Sequence, residues 1–254
     1  MRIALALLAG SLAAAPAQAE TLIASLSTSR VAITSNYTGA SIVVFGAIER
    51  DAQTISRAGP YDIVVMVRGP RASIVVRQKE PMGPIWLNRE QQRFVDIPYY
   101  VAALSSRAVE QVATDQLRTR LKIGLRGVVY SPEVSVFRGG EADGPFREAL
   151  LRLQKQERLW IESARGVTFL TSSLFRSPVQ IPAIAPPGNY EVDVMLFSDN
   201  VMLSRSQTNF ELVKTGFEQQ VAAVAREWSI LYGLVVAAVA LLFGWIASVI
   251  FRRD

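Results

Sequence analysis

The sequence predicts a mainly β protein with an α-helical insert, in which an exported antiparallel β domain is held by one transmembrane helix at its C-terminal end. Three observations support this fold class. Short runs rich in β-branched residues, separated by Gly, Pro and Asn turns, occupy two parts of the 254-residue chain. Apolar residues at helical spacing lie between those parts. Near the end, residues 229–250 contain no charged side chain, and a helix of that length can cross a bilayer.

The composition excludes several classes of enzyme. The chain has no Cys and no His, so it contains no disulfide, no thiolate metal site, no Ser-His-Asp triad and no histidine base. We therefore predict no catalytic residue, no cofactor and no metal, and we expect a protein that is not an enzyme. Without Arg2, Arg252, Arg253 and Asp254, 24 basic and 21 acidic residues remain, a net charge of +3. This charge is too small to indicate nucleic-acid binding.

Residues 1–19 have the layout of a secretory signal peptide. Arg2 supplies a positive charge, residues 3–15 are uncharged, and Ala17 and Ala19 are the small residues that a signal peptidase reads. The uncharged run reaches about 20 Å as a helix, which is too short to cross a bilayer. We expect cleavage after Ala19 and export of the following residues to the bacterial periplasm.

Residues 20–98 and 165–213 are predicted to be the two parts of a β-sandwich. Strands are indicated at 31–34, 41–45, 61–67 and 73–76 and, after the insert, at 167–170, 179–181, 190–197 and 209–213. The phrase Pro187-Gly188-Asn189-Tyr190 resembles the corner of immunoglobulin-like antiparallel β-sandwiches where a Tyr hydroxyl bonds to nearby backbone. Either one sandwich is split by the helical insert, which we favour, or two small sandwiches flank a helical pair.

Residues 99–164 are predicted to be the helical insert. A first helix is indicated by apolar residues at helical spacing, namely Val109, Val112, Ala113, Leu117 and Leu121. Ser105 or Ser106 is in position to cap it. A second helix is predicted after Asp143-Gly144-Pro145, with Phe146, Leu150, Leu153, Glu157 and Trp160 along one face. Residues 124–140 are ambiguous, because 127–130 and 134–137 could form a hairpin.

Residues 229–251 are predicted to be the transmembrane helix. They include thirteen Leu, Ile, Val or Phe, and Arg252 and Arg253 suit the cytoplasmic side of the membrane. We predict a short juxtamembrane helix at 214–228 and a cytoplasmic stub at 252–254. Together these assign a single-pass protein of the bacterial inner membrane, with its N-terminal domain in the periplasm and its C-terminus in the cytoplasm.

Small residues recur at intervals of four, three, four and four within the predicted span. They are Gly233, Ala237, Ala240, Gly244 and Ser248. A stripe of small residues on one helix face allows another helix to approach closely. We predict membrane helix packing through this stripe, with a partner membrane protein or with a second copy of the chain. The alternative is that Ala and Gly are simply abundant in membrane spans.

Basic residues concentrate in the first β part. Arg68, Arg77 and Arg89 are candidates for binding small anions, since guanidinium groups pair well with oxyanions. Their alternative role is as solvated side chains near turns. Glu191 and Asp193 alternate on one predicted strand, but two carboxylates at this spacing are frequent by chance and do not by themselves indicate acid-base catalysis.

Several phrases, taken in their order along the chain, resemble an uncharacterised family of alphaproteobacterial transmembrane proteins, Alph_Pro_TM. They are the segments 29–35, 39–46, 67–70, 85–88, 174–176, 187–190, 214–216, 244–246 and 251–253. The resemblance implies a single-span inner-membrane protein of unknown activity, led by a signal peptide. It also suggests an accessory role to a sulfite-exporter-type (TauE/SafE) anion permease, and it carries over no catalytic residue.

Two functions remain at this level. The first is a non-enzymatic accessory or interaction subunit of a membrane complex, with the lipid bilayer and a membrane protein, such as a TauE/SafE-type permease, as partners. The second is a periplasmic ligand-binding or sensing module for small anions. The first predicts co-purification with a multispan protein, whereas the second predicts anion binding by the exported segment alone.

Overall fold

The structure is a computed structural model that describes residues 20–33, 38–49, 60–137, 143–214 and 225–250. The predicted signal peptide at 1–19, the cytoplasmic stub at 252–254 and most of the predicted juxtamembrane helix lie outside the described residues.

The described chain is mostly β, as the sequence predicts. Thirteen strands occur within the described residues: β1 (Thr21–Leu26), β2 (Arg30–Ile33), β3 (Gly39–Glu49), β4 (Asp62–Arg68), β5 (Arg71–Met82), β6 (Ile85–Pro98), β7 (Val101–Ser105), β8 (Ser135–Phe137), β9 (Trp160–Ser163), β10 (Thr168–Phe169), β11 (Leu174–Pro182), β12 (Gly188–Ser198) and β13 (Val201–Lys214). They form a four-stranded sheet in the order β1-β3-β11-β10, a six-stranded sheet in the order β2-β13-β12-β4-β7-β9, and a three-stranded sheet in the order β5-β6-β8.

The four-stranded and six-stranded sheets bury one common core. Strand β11 alternates between exposed and buried residues, and its buried Phe175, Val179 and Ile181 join Val65 and Val194 of the six-stranded sheet in the same cluster. Such alternation is what a sheet with one solvated face requires. Strands from before and after the helical insert pair directly, β3 with β11 and β4 with β12. This is the pairing that a single, split β domain requires.

Two buried tyrosines of this core donate hydrogen bonds to backbone oxygens. The Tyr190 hydroxyl donates to the backbone oxygen of Pro186 at 2.6 Å, which is the local bond that the Tyr motif predicts. The Tyr100 hydroxyl donates to the backbone oxygen of Gln180 at 2.7 Å. Because Gln180 belongs to β11 and Tyr100 precedes β7, this second bond joins the two packed sheets.

Strand β4 is buried along nearly its whole length, because helices cover the other face of the six-stranded sheet. Residues Asp62–Val67 are all buried, and Val64 and Met66 belong to a second core cluster with Leu125, Leu150 and Trp160. The helices are α1 (Val109–Val112), α2 (Asp115–Leu121), α3 (Gly124–Val129) and α4 (Asp143–Gln156).

The predicted first helix is interrupted. Ala113 is extended (φ −142°, ψ 144°), so the run from Val109 to Leu121 forms two short helices. Ser105 and Ser106 cap neither of them: α1 has no side-chain cap, and the Thr114 hydroxyl caps α2 by accepting from the backbone N–H of Leu117. Thr114 is therefore the capping residue that periodicity alone overlooks.

The ambiguous segment and the second helix also differ in part from expectation. Residues 124–129 form α3, and Ser135–Phe137 pairs with β6, so no hairpin joins them. In α4, Phe146 and Leu150 are buried as predicted, but Leu153 is 42% exposed. Trp160 is buried in β9 and does not continue the face of α4.

The predicted boundary at residue 98 does not separate β from helical structure. Strands β7 and β9 fall within 99–164 and belong to the six-stranded sheet. The pairing is also not wholly antiparallel, since β13 pairs with β2 and β7 pairs with β9 in parallel. A parallel neighbour needs a long connection, which α1–α4 supply between β7 and β9.

Residues Ser229–Ile250 form a fifth described helix, α5, that carries no charged side chain. The sequence predicts that 229–251 spans the membrane. Within the described residues, however, no helix meets the combined requirement of length and apolar character for crossing a bilayer. The transmembrane assignment therefore stays a prediction.

Candidate functional site

A buried carboxylate on the six-stranded sheet lies at the centre of a polar cleft. The side chain of Asp193, in the middle of β12, is 4% exposed. Its Oδ1 accepts from Gln207 Nε2 at 2.6 Å and from Arg205 Nη2 at 2.8 Å, and its Oδ2 accepts from Arg68 Nη1. Three donors from β4 and β13 thus meet one carboxylate of the strand between them.

The local sequence explains this convergence. Asp193 pairs with Gln207 on β13 and with Met66 on β4, and side chains two residues apart on a strand share one face. Arg205 and Gln207 therefore emerge beside Asp193. Arg68 lies two residues beyond Met66, so it reaches the carboxylate from the opposite neighbour.

The surroundings keep Asp193 ionised. Burial by itself would raise the pKa of this carboxyl group. The hydrogen bonds from Gln207 and Arg205 and the charge of Arg68 outweigh burial, so the pKa of Asp193 lies below its ordinary value. A carboxylate held in this state accepts hydrogen bonds but has no proton to donate.

The cleft around Asp193 has a volume of about 220 Å³. Its charged lining comprises Arg68, Arg71, Arg120, Lys122 and Arg205 together with Asp96, Glu133, Glu191 and Asp193. Five cations against four anions leave one net positive charge. A site of this balance offers no strong field to a small anion.

Ion pairs at the rim of the cleft neutralise several of these charged side chains. Arg71 contacts Asp96 at 2.7 Å and Glu133 at 3.6 Å, and Lys122 pairs with Glu133. The hydrogen bond from Lys122, and then its charge, lower the pKa of Glu133. The rim pairs join β5, β6 and the loop after α3 to the end of α2.

The structure places the three predicted anion-binding residues in two different regions. Arg68 lies in the cleft, 12% exposed and paired with Asp193. Arg77 is on the exposed part of β5, and Arg89 on β6 is 72% exposed and contacts Glu80 at 3.3 Å. Of the two carboxylates that the sequence pairs, Asp193 is buried and Glu191 is exposed, and both line the cleft.

The β5–β6 hairpin is a feature that sequence reasoning recognised only in fragments. Its root is buried, with Val76, Phe94 and Ile97 in the core under the helices. Beyond Val76 its side chains are exposed or nearly so as far as Gln91. Around the turn at Gly83-Pro84, four large apolar side chains stand exposed: Met82 at 64%, Ile85 at 55%, Trp86 at 67% and Leu87 at 39%. The available signal was the run Met82-Gly83-Pro84-Ile85-Trp86-Leu87, which has no charge.

The predicted helix-packing residues lie on α5, and all five are exposed: Gly233, Ala237, Ala240, Gly244 and Ser248. A Cβ added at Gly233 or at Gly244 would meet no atom within 4 Å. Ile230 and Leu241 of the same helix are 82% and 76% exposed. No part of the described chain therefore covers this stripe at its two glycines.

Comparison with known families decides where the chain belongs. Residues 21–253 match the family model described as "Putative transmembrane protein (Alph_Pro_TM)". The chain belongs to the Alph_Pro_TM family. The resemblance seen in the motifs is thus confirmed over residues 21–253, which include the β domain and α5. A search of curated proteins finds no match. The Asp193 cleft, the β5–β6 hairpin and α5 of this Alph_Pro_TM protein all lie within the matched residues.

Proposed function

We propose that this chain is a non-enzymatic, single-pass protein of the bacterial inner membrane, whose periplasmic β domain serves as an accessory or interaction subunit of a membrane complex. The observation that carries the proposal is α5. Twenty-two consecutive residues without a charge form one helix, and every side chain of it whose exposure the structure describes is exposed. An exposed apolar surface of this size marks a site that contacts a membrane or another protein.

The free energy of transfer of the α5 side chains favours contact with lipid. Each of the thirteen Leu, Ile, Val and Phe from Ser229 to Phe251 favours insertion by roughly 0.3–0.6 kcal/mol where it lies near the helix centre, so the run as a whole favours insertion. The description of the Alph_Pro_TM family points the same way. The expected orientation, with the β domain in the periplasm, follows from the signal-like residues 1–19 and from Arg252 and Arg253.

The packed sheets support an immunoglobulin-like β-sandwich as the finer fold assignment. The order β1-β3-β11-β10 corresponds to the A-B-E-D sheet of such folds, and β13-β12-β4 corresponds to G-F-C. Tyr190, near the start of β12, makes the corresponding corner bond. In this assignment the helices and the β5–β6 hairpin are insertions after the third strand. A fold of this kind does not by itself specify an activity.

The absence of enzymatic activity is supported by the state of Asp193. Both of its oxygens accept hydrogen bonds from cationic or amide donors. General acid-base catalysis requires a group that can exchange a proton with a substrate near the operating pH. A carboxylate that is saturated with donors and has a lowered pKa does not meet this requirement.

A sulfite-exporter-type permease of the TauE/SafE class is the first partner to test, because the family resemblance suggests it. The test is purification of the tagged full chain from native membranes after crosslinking. We expect a multispan protein to accompany it. Exchange of 229–251 for an unrelated span of equal length should abolish the association while membrane attachment is retained. Unchanged recovery of the partner would contradict a role for α5 in recognition.

A single substitution tests the stripe within α5. Gly244→Leu fills a position at which a Cβ now meets no atom within 4 Å, so it should block close approach of a second helix. Val235→Leu, on the opposite face of α5, is the matched control. We expect the first variant to lose the crosslinked complex and the second to keep it. Equal assembly of both variants would show that the stripe does not pack.

The alternative function, binding of small anions by the exported domain, has less support. Arg68 is already paired with Asp193, and Arg89 contacts Glu80. Calorimetric titration of the full chain with sulfate and sulfite, compared with the Arg77→Ala and Arg89→Ala variants, would test it. Saturable binding that either variant weakens would favour this alternative.

A further inference from the structure

We propose that the tip of the β5–β6 hairpin inserts into the surface of an anionic lipid bilayer and acts as a second membrane contact beside α5. The inference rests on the proposed membrane anchoring, which brings the β domain to the bilayer. It assigns a role to Met82, Ile85, Trp86 and Leu87, four large apolar side chains that the rest of the described chain leaves exposed.

The tip is apolar on both of its faces. Residues directly opposite in a hairpin project to the same side, and Met82 pairs with Ile85 while Pro81 pairs with Trp86. Neighbouring residues on a strand project to opposite sides, so Met82 and Ile85 emerge from one face and Trp86 from the other. A protein groove would cover one face, whereas lipid surrounds the tip and accepts both.

The turn leaves few backbone N–H groups of the tip without a partner. Gly83 has a φ of +63° and is followed by Pro84, a combination that suits a two-residue hairpin turn. Pro81 and Pro84 have no N–H group, and Met82 and Ile85 are paired across the turn. Fewer unpaired backbone donors lower the cost of placing this turn among lipid headgroups.

Basic residues outnumber acidic ones on the two arms above the tip, where Arg77, Lys79 and Arg89 face Glu80 and Glu90. Arg77 and Lys79 are exposed, and no ion pair occupies either of them among the described residues. Lys79 projects to the same face as Pro81, and hence as Trp86. Apolar and aromatic side chains below a band of basic residues form the pattern of segments that lie in a membrane interface.

The topology places the hairpin root at the end of the sheet from which the chain continues toward α5. Arg68, at the end of β4, pairs with Glu191, and Gly188 at the start of β12 pairs with Leu212 near the end of β13. A Cβ on Gly188 would lie 2.6 Å from Cγ of Pro70, the residue before β5.

The exposed arm of the hairpin, from Arg77 to Met82, extends about 20 Å. The chain from Lys214 to Ser229 spans at most about 50 Å, a length that allows this end of the domain to reach the bilayer.

The test uses the full chain, which contains no cysteine, so that single labels can be placed. Met82→Cys reports on the tip, Ala238→Cys reports on α5, and Ser172→Cys, an exposed position between β10 and β11, is the control. Each variant carries an environment-sensitive fluorophore in vesicles of phosphatidylethanolamine and phosphatidylglycerol. Lipids with a nitroxide on the upper acyl chain act as quenchers.

We expect quenching at 82 and 238 and none at 172. Quenching at 238 alone would overturn the hairpin inference and leave the proposed anchor intact. Quenching at neither 82 nor 238 would overturn both, and quenching at 82 alone would support the hairpin and contradict the anchor. Quenching at 172 to the same extent as at 82 would show non-specific adsorption of the domain and overturn the inference.

Two further variants, each carrying the label at 82, test the chemistry. Trp86→Ser with Ile85→Ser should abolish quenching, since it removes apolar side chains from both faces. Arg77→Gln with Lys79→Gln should lower the ratio of inserted to exposed tip about fivefold per charge, because a basic side chain near an anionic surface contributes roughly 1 kcal/mol. Vesicles of phosphatidylcholine alone should give a similar loss. Unchanged insertion of the tip in the Arg77→Gln, Lys79→Gln variant and in phosphatidylcholine vesicles would overturn the assignment of an anionic surface. All these positions are exposed, so unchanged thermal unfolding confirms that each variant is folded.

Discussion

At the scale of single residues, Asp193 shows how a buried charge is accommodated. Its carboxylate is 4% exposed and Arg68 is 12% exposed, so neither is well solvated. Removal of one partner leaves the other charge buried and uncompensated, which costs far more than the pair contributes by itself. Asp193 therefore joins β4, β12 and β13 by electrostatics at the centre of the six-stranded sheet.

Asp193→Ala should reduce the free energy of unfolding by about 3–5 kcal/mol, because it leaves the buried guanidinium group of Arg68 without the carboxylate that neutralises it. The measurement is urea denaturation of the full chain in detergent, followed by near-ultraviolet circular dichroism. Glu191→Ala is the matched control, since Glu191 is an exposed carboxylate two residues away on the same strand. A change of about 0.5 kcal/mol or less is expected there. Equal effects of the two variants would contradict the role of Asp193.

The stability that Asp193 contributes should depend on pH with a definite sign. The folded state lowers the pKa of Asp193 below the ordinary 3.8. The contribution is therefore complete above pH 3.8 and is lost as the pH falls through the lower pKa of the folded state. The stability difference between the wild type and Asp193→Asn should shrink as the pH of the denaturation series is lowered from 6 into that range. A difference that stays constant would contradict this linkage.

Tyr190→Phe should cost about 0.5–1.5 kcal/mol, since it removes the hydroxyl that donates to Pro186 while leaving the ring in the core. Thermal unfolding of the full chain measures it. Tyr130→Phe is the control, because Tyr130 is 41% exposed and its hydroxyl donates to Glu148 at the surface. If the control variant loses as much stability as Tyr190→Phe, the corner bond has no special weight.

At the scale of elements, pattern reasoning worked where burial imposes a residue pattern, on one face of β11 or on both faces of β4, and failed where pairing decides. The alternation in β11 and the apolar run of β4 are visible in the sequence. The run Gln78-Lys79-Glu80, in contrast, has low β propensity, yet it continues β5 because β6 pairs with it throughout. The break at Ala113 is likewise invisible to periodicity, because Val109 and Leu121 keep helical spacing across it.

Helix α4 provides a test of its buried face. Leu150 is 1% exposed and Leu153, one turn along the same helix, is 42% exposed. Leu150→Ala should reduce the free energy of unfolding by about 2–5 kcal/mol through lost burial and a cavity. Leu153→Ala should change it by about 0.5 kcal/mol or less. Denaturant titration distinguishes the two, and an equally large loss for Leu153 would show that both side chains lie on the buried face, as periodicity predicts.

At the scale of the whole molecule, the two halves of the β domain complete each other's sheets. Strand β3 lies between β1 and β11, and β4 lies between β12 and β7. Each half alone would expose a sheet edge and half of the common core. The helices add a second core on the far face of the six-stranded sheet, so the domain has three layers.

A chain that ends at Ala164 should therefore fail to unfold cooperatively, because it lacks β11, β12 and β13. A chain that ends at Lys214 is the control and should melt cooperatively, since it retains both core clusters in full. Circular dichroism melting of the two purified fragments provides the measurement. A sharp transition for the shorter fragment would show that the first half is an independent domain.

The sequence by itself determined the β-rich class, the position of the helical segment, the uncharged C-terminal helix and the family, since each depends on local composition or on short ordered motifs. Several of the residues that build the candidate site also stand out locally, among them Arg68 and Asp193. Only the tertiary structure decided that Arg68 neutralises Asp193, that Arg77 and Arg89 lie on a hairpin away from it, and that this hairpin ends in an exposed apolar tip. The physical reason is strand register, which no local pattern encodes and which decides which side chains meet. It brings Arg68 to Asp193 across 125 residues of sequence, and it also sets the pairing of β5 with its neighbour β6.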